Sequence, residues 1–196
     1  MLRYAEAMAG SRKDVRLRLQ RAALELYSER GFDRTTAADI AALAGVTERT
    51  YFRHFPDKRE VLFGGEVPLQ AALTEAVLTA PAGLAPLPAL LAAFLSVVPL
   101  FEEDRAGKVL RHRIISATPE LQERELIKLA HLTGAITLAL AQRAVPPGPA
   151  ALAAGCGTAV LSRARLQWLE GSQRDYATLL TDAFTELGLL VTVPGP

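Results

Sequence analysis

The run from Gly31 to Lys58 constrains this chain more than any other part of its sequence. It holds two short helical patterns separated by one turn, with a further helix start directly after. Thr36 and Asp39 stand three residues apart. At that spacing a threonine hydroxyl accepts an orphan N–H of the first turn, and the carboxylate meets the positive helix end. Ala37, Ile40, Ala41 and Ala44 follow at helical spacing and form a small apolar face that another helix can approach closely. Gly45 supplies the left-handed residue that ends the helix, and Val46 plugs the corner. Thr47 is the next N-cap, so the spacing predicts a second helix from Glu48 to His54. Phe55 turns back to the core with Val46, whereas Arg49, Phe52 and Arg53 share the opposite side. In Pro56-Asp57-Lys58-Arg59-Glu60, Asp57 is placed to cap a third helix, with Glu60 three residues on.

Two helices joined at a glycine turn, the second carrying cations on its outer side, make the layout that seats a short helix in a DNA groove. A longer amphipathic helix precedes it, with Val15, Leu19, Ala22, Ala23 and Leu26 on one face. Arg12, Lys13, Arg16 and Arg18 load the start of that helix with positive charge. The helix dipole disfavours this, but a phosphate backbone nearby would favour it. Through Phe63 the chain carries 12 Lys and Arg against 9 Asp and Glu, and the remainder carries 10 against 12. The basic excess therefore sits with the helix-turn-helix, though the asymmetry is small.

From about Ser11 to Leu62 the sequence resembles the DNA-binding domain of the TetR family of transcriptional regulators. The matching run is Ala22-Ala23, Gly31-Phe32, Thr35-Thr36, Ile40-Ala41, Ala44-Gly45-Val46, Thr50 through Phe55, Lys58 and Leu62. The resemblance implies an all-α homodimer: a three-helix helix-turn-helix domain plus a larger helical domain that binds a ligand and dimerises. The expected organisation is an N-terminal arm over 1–10, disordered; the helix-turn-helix domain over 11–56; and the ligand-binding and dimerisation domain over 57–196. The DNA-binding candidates are Thr35, Thr36, Thr47, Glu48, Arg49, Tyr51, Phe52, Arg53, His54 and Lys58. Tyr51 fits a core aromatic as well as a DNA contact. The family commonly has a phosphate-bonding tyrosine at the Phe52 position. Phe52 has no hydroxyl and could offer only van der Waals contact, with a sugar edge or a thymine methyl. Lys58, near the expected helix start, is read as a phosphate contact.

The rest of the chain reads as further helices: about 61–78, 89–101, 105–116, 119–144, 150–170 and 175–189. Proline- and glycine-rich breaks fall at 80–88 and 146–149. Nothing alternates with period two, so no sheet is expected. By the resemblance, a ligand pocket lies between about Leu90 and Ala141. Phe94, Leu95, Val98, Phe101, Arg111, His112, Ile115 and His131 are its candidate lining, and each of them also fits a plain core or surface position. The last two helices carry the candidate dimer interface: Leu152 and Val160 on one, Leu179, Leu180, Ala183, Phe184 and Leu187 on the other.

The three histidines lack ligand spacing, and no nucleophile–base pair or phosphate-cradling loop stands out, so neither a metal site, a cofactor nor an enzyme is expected. Cys156, the one cysteine, reads as a small packing residue. With no apolar run judged long enough to cross a bilayer and no signal-peptide pattern, the expectation is a cytoplasmic protein with no membrane partner. The expected partners are a double-stranded DNA operator, a small apolar organic effector and a second copy of the chain. The expected function is a repressor released from a palindromic operator by that effector. The alternatives are a carrier or enzyme-like protein holding a hydrophobic molecule, and a DNA-binding protein without effector.

Overall fold

The computed structural model describes the backbone of residues 2–64 and 66–190, and side chains over 14–64 and 68–190. Among these residues every regular element is helical: α1 (Leu2–Arg30), α2 (Ala37–Leu43), α3 (Glu48–His54), a 3₁₀ turn (Glu60–Phe63), α4 (Glu66–Thr79), α5 (Pro86–Ser96), α6 (Val98–Glu102), α7 (Arg105–Ser116), α8 (Pro119–Gln142), α9 (Pro147–Leu169) and α10 (Tyr176–Leu190). The chain divides into two compact units, Met1–Glu66 with Leu110–Arg124, and Val67–Val109 with Glu125–Pro196.

In the first unit, α1 lays Leu19, Ala23 and Leu26 against Ile40 of α2 and Tyr51 and Phe55 of the α3 region, forming one buried cluster with Phe32. Val61, Leu62 and Phe63 join that cluster, as do Ile114, Ile115 and Leu121 from the α7–α8 corner. Gly31 and Gly45 take φ of 83° and 66°, a left-handed backbone that a Cβ would strain, and so they end α1 and turn α2 into α3.

Two expected boundaries differ. The segment 1–10, expected as a disordered arm, is helical backbone from Leu2 onward, because Tyr4 through Ala9 are helix-compatible and Gly10 alone does not break a helix. The first unit does not stop at residue 56 either. The apolar triplet Val61-Leu62-Phe63 and the distant 110–124 corner belong to its core. The helix expected from Asp57 is only a 3₁₀ turn. Asp57 Oδ1 accepts from the Arg59 and Glu60 amides at 2.8 and 3.1 Å, and Gly64 follows before a helix can propagate.

In the second unit, α9 packs against α5 and α10, and α10 against α5. Leu90 and Phe94 of α5, Ala154 and Leu161 of α9, and Leu180 and Phe184 of α10 share the core. Gly157 is what lets α9 approach α5: a Cβ there would stand 2.7 Å from Leu90 Cδ1, and Leu90 is itself fully buried. Gly157→Val should therefore lower unfolding free energy by about 1–3 kcal/mol, read from urea denaturation; an unchanged midpoint would refute the close contact. Antiparallel α8 and α9 are tied by the Thr133 and Thr158 hydroxyls at 3.0 Å and by Arg165 to Glu125 at 3.2 Å. The rings of Phe101, Tyr176 and Trp168 meet in series, tilted, at 5.1 and 5.7 Å, and Arg105 lies over Trp168 while donating to its carbonyl.

The helix expected over 89–101 is two helices. Pro99 has no N–H for the Leu95 carbonyl, and the break falls at Val97, between α5 and α6. Pro86 and Pro147, assigned to breaks, instead open α5 and α9, where a missing N–H costs nothing. By length and composition alone the stretch Glu60–Thr79, a 3₁₀ turn followed by α4, is long and apolar enough to cross a membrane. Its apolar residues go to two protein cores: Val61, Leu62 and Phe63 to one, Leu73 and Val77 to the other.

Candidate nucleic-acid interface

Both short helices of the first unit are capped by their own side chains. Thr36 Oγ1 accepts from the Asp39 amide at 3.1 Å, and Asp39 Oδ2 accepts from the Thr36 amide at 2.9 Å and its hydroxyl at 2.6 Å. Thr47 Oγ1 accepts from the Thr50 amide at 3.2 Å. Hydrogen bonds from the Thr36 side chain and backbone hold the Asp39 carboxyl below its ordinary value. At Asp57, burial pushes upward, but the bonds from Arg59 and from the Glu60 amide outweigh it and the net shift is downward.

A carboxyl depressed by folding stabilises the fold above its unfolded pKa, and that contribution is lost as pH falls through the folded value. The melting temperature should thus fall on acidification below about 3.8, the ordinary Asp value. Asp39→Ala should flatten that fall in a circular-dichroism melt series; an unaltered acid limb would remove Asp39 from the cap.

The α3 helix divides cleanly. Thr47, Glu48, Arg49, Phe52 and Arg53 are exposed, Phe52 by 49%. On the other side Tyr51 is 0% exposed, and its hydroxyl donates to the Asp57 carbonyl at 3.1 Å. Its ring sits edge-on to Phe52 at 5.4 Å, so the exposed phenyl stands on a buried base. Burial raises the Tyr51 phenol well above its ordinary range, as it does for Tyr27, whose hydroxyl donates to the Lys58 carbonyl at 2.5 Å. His54 is half-buried, its ring 6.4 Å from that of Phe55.

Several candidates are buried or have their polar atoms committed within the fold. Tyr51 is a core residue for the reason given. Thr35 is 1% exposed and spends its hydroxyl on the Gly31 carbonyl at 2.9 Å. Thr36 is exposed but committed to its cap. Lys58 is turned inward: Nζ donates to the Phe32 carbonyl at 3.0 Å and the Thr35 carbonyl at 3.4 Å, and lies 4.1 Å from the Phe32 ring centroid. A cation so placed braces the α1–α2 loop. Lys58→Met should lower the melting temperature and leave the salt dependence of DNA binding unchanged. A slope reduced by about 0.9, one phosphate's worth, would restore the phosphate role.

The α1 cations separate as well. Arg16 is half-buried, whereas Arg18 is exposed, paired with Asp14 at 3.6 Å and reaching within 3.8 Å of where a Gly45 Cβ would stand. Arg18 thus lies beside the α2–α3 turn. Its place two residues after Arg16, on a different side of the helix, is the signal that could have separated them. The side chains of Arg12 and Lys13 lie outside the described residues.

The pocket candidates fall in both units. Phe94, Leu95, Val98 and Phe101 belong to the second unit, where Phe94 meets Phe184 edge-on at 6.0 Å. Arg111, His112 and Ile115 belong to the first unit. There Ile115 is core, and Arg111 Nε donates to the Leu62 carbonyl at 2.6 Å, with the guanidinium over Phe63. His112 is half-buried within 3.5 Å of the Ser116 hydroxyl, and His131 is exposed on α8. The dimer candidates Val160, Leu179, Leu180, Ala183 and Phe184 are buried within the single chain, because α9 and α10 spend that apolar stripe on each other and on α5. Leu187 is half-buried, and Leu152, at 72% exposed, is the one that stays outside.

A capped helix-turn-helix in one unit, with a second unit that is helical over its described residues, defines the structural class: an all-α helix-turn-helix protein. Residues 19–63 match the family described as bacterial regulatory proteins, tetR family, and residues 84–190 match the MftR C-terminal domain. The chain belongs to the TetR family of transcriptional regulators, a family of regulators and not of enzymes. It is similar to the HTH-type transcriptional regulator TcmR of Streptomyces glaucescens, 32% identical over 135 residues, covering 66% of this chain and 60% of that protein. Its fold is similar to that of Thermus thermophilus FadR, a TetR-family repressor solved with lauroyl-CoA (TM-score 0.52, 23% identity, 92% of this chain and 97% of that one). It is also similar to NalD of Pseudomonas aeruginosa, the secondary repressor of the MexAB-OprM efflux pump (TM-score 0.61, 23% identity, 90% and 96% covered).

Proposed function

We propose that this chain is a homodimeric repressor that binds a two-fold symmetric DNA operator and releases it when a small organic effector binds. The observation that carries the reading is the division of α3. Its outer side presents Thr47, Glu48, Arg49, Phe52 and Arg53, while Tyr51 behind them is fully buried. A seven-residue helix held this way can enter a major groove with two guanidinium forks foremost. Arg49 and Arg53 would read guanine edges or grip phosphate, Glu48 would accept from a cytosine amine, Thr47 and half-buried His54 would meet the backbone, and Phe52 would press on a sugar or thymine methyl. The experiment is selection of bound duplexes from random-sequence DNA, followed by fluorescence anisotropy on the recovered sequence. Enrichment of a palindrome supports the reading, and recovery of unrelated sequences opposes it.

The dimer is assigned to the outer face of α9. Leu152, Gly155, Ala159, Arg163 and Leu166 are exposed there at i, i+3, i+7, i+11 and i+14, a leucine at each end with two small residues and one arginine between. Antiparallel α10 adds Thr181, Thr185 and Leu189 beside it, joined by Arg163 to Glu186 at 3.0 Å. Copies packed on such a face would be related by a two-fold axis, matching a palindrome.

The effector is assigned to the second unit, where Phe94, Val98 and Phe101 supply apolar surface and the buried Thr158 hydroxyl with Thr133 supplies a polar group. Since DNA and effector oppose each other, one coupling free energy of about 1–3 kcal/mol links them. Displacement of a labelled operator duplex by a panel of small organic compounds tests this. A panel that leaves anisotropy unchanged while DNA binding is intact favours the effector-free alternative.

A further inference from the structure

We infer that Arg16 is a positioning residue for α3, setting how far its C-terminal end stands from α1 and so how it meets the bases. The Arg16 guanidinium uses three faces at once. Nη1 donates to the His54 carbonyl at 3.2 Å, Nη2 donates to the Gly64 carbonyl at 3.1 Å, and the plane lies 4.4 Å from the Phe55 ring centroid. His54 is the last residue of α3, so its carbonyl is one of those a helix cannot satisfy from within, and a cation there also complements the helix dipole. These contacts reach 38 and 48 residues along the chain.

Gly64 supports this from the other side of the same contact. It ends the 3₁₀ turn with φ of −65°, which any residue adopts, so conformation does not require glycine there. Space favours it: a Cβ would stand 2.9 Å from Cε1 of the buried Phe55 ring, and at 2.9 and 2.7 Å from Arg16 Nη2 and Gln20 Nε2, side-chain ends that would have to shift away. Gly64 thus keeps open the seat that the guanidinium fills.

The geometry matters because α3 is short. Tyr51 and Phe55 fix its rotation about its own axis, and the Thr47 cap fixes its first turn. Arg16 fixes the far end through a fork that a lysine ammonium cannot reproduce. A tilt of α3 would misplace the Arg49 and Arg53 forks relative to base edges, while general attraction to phosphate would survive. Arg16 is therefore expected to govern discrimination between sequences more than bare affinity for DNA. The inference rests on the DNA-binding reading above.

The test compares wild type with Arg16→Gln, Arg16→Lys and Gly64→Ala. Two probes are used at a temperature where circular dichroism shows each variant folded: a duplex recovered by selection with the wild-type chain, and a scrambled duplex of the same length and composition. Affinity for the selected duplex should fall about tenfold or more in Arg16→Gln and Gly64→Ala. Scrambled-duplex affinity should stay within about twofold, with an unchanged salt slope. Arg16→Lys should recover little, and combining Arg16→Gln with Gly64→Ala should add little to either, since both remove one contact set.

Loss on both duplexes with a slope lower by about 0.9 would make Arg16 a phosphate contact and overturn the inference. A lower melting temperature with selected-duplex affinity intact would reduce it to a fold brace, which also overturns it. Amide hydrogen exchange, measured without DNA, separates this inference from the DNA reading. Faster exchange confined to the α3 end in Arg16→Gln and Gly64→Ala supports the clamp even if selection recovers nothing. Unchanged exchange there contradicts the clamp.

Discussion

Leu152→Glu should leave the chain monomeric at micromolar concentration and remove operator binding, while the protomer stays folded. The side chain is 72% exposed in a single chain, so a carboxylate there costs the protomer almost nothing. In a two-fold dimer built on α9, the same position would stand against apolar surface in both copies. Each would bury a charge with no partner, and breaking an interface in this way costs about 3–5 kcal/mol per unpaired charge. A monomer keeps one α3 and gives up the second half-site, so the loss in DNA affinity compounds the loss of the dimer. Sedimentation or light scattering reads the first effect and anisotropy the second. Phe184→Asp is not an equivalent test, because Phe184 packs on Phe94 inside the protomer and its loss would damage the fold. A Leu152→Glu protein that remains dimeric would move the interface elsewhere.

Replacing Arg49 and Arg53 together by alanine should abolish discrimination between the selected and scrambled duplexes without altering the melting temperature. Both side chains are exposed, so truncation removes no packing. A good bidentate contact to a base is worth about 1–3 kcal/mol, and a dimer carries each arginine twice. Two arginines in two copies therefore carry several kcal/mol of the specificity. The single variants should sort them. An arginine on a base edge relaxes specificity at one position of the half-site, and one on phosphate weakens all sequences alike and flattens the salt slope. Undiminished discrimination in the double variant would mean that α3 does not read the sequence.

Features decided within a few residues were legible in the sequence. Thr36 with Asp39, Gly45 and Thr47 depend on neighbours one to three positions away, and caps, turn and helix bounds stand where the pattern put them. Features decided by distant partners were not. Tyr51 lies on a seven-residue helix too short to declare its inner side, and α1 settles the matter by packing on it. Lys58 looks like a surface cation until Phe32, 26 residues earlier, offers a carbonyl and a ring. The spacing of Arg16 and Arg18, about 200° apart on a helix, sets them on different sides, but which side the fold covers is decided by His54 and Gly64 far along the chain. Val160, Leu179 and Phe184 show the same limit for the candidate interface. A periodic apolar stripe says that a face is covered, and burial inside one chain and burial between two chains have the same pattern.

Footprinting the wild-type chain on its selected duplex decides whether a two-fold pair of α3 helices reads DNA. Two protected half-sites related by a two-fold axis are expected. They should lie on one face of the duplex, about one helical turn or a multiple apart, with protection lost in Leu152→Glu. A single unsymmetrical footprint that survives Leu152→Glu, or uniform protection of selected and scrambled duplexes alike, would contradict it.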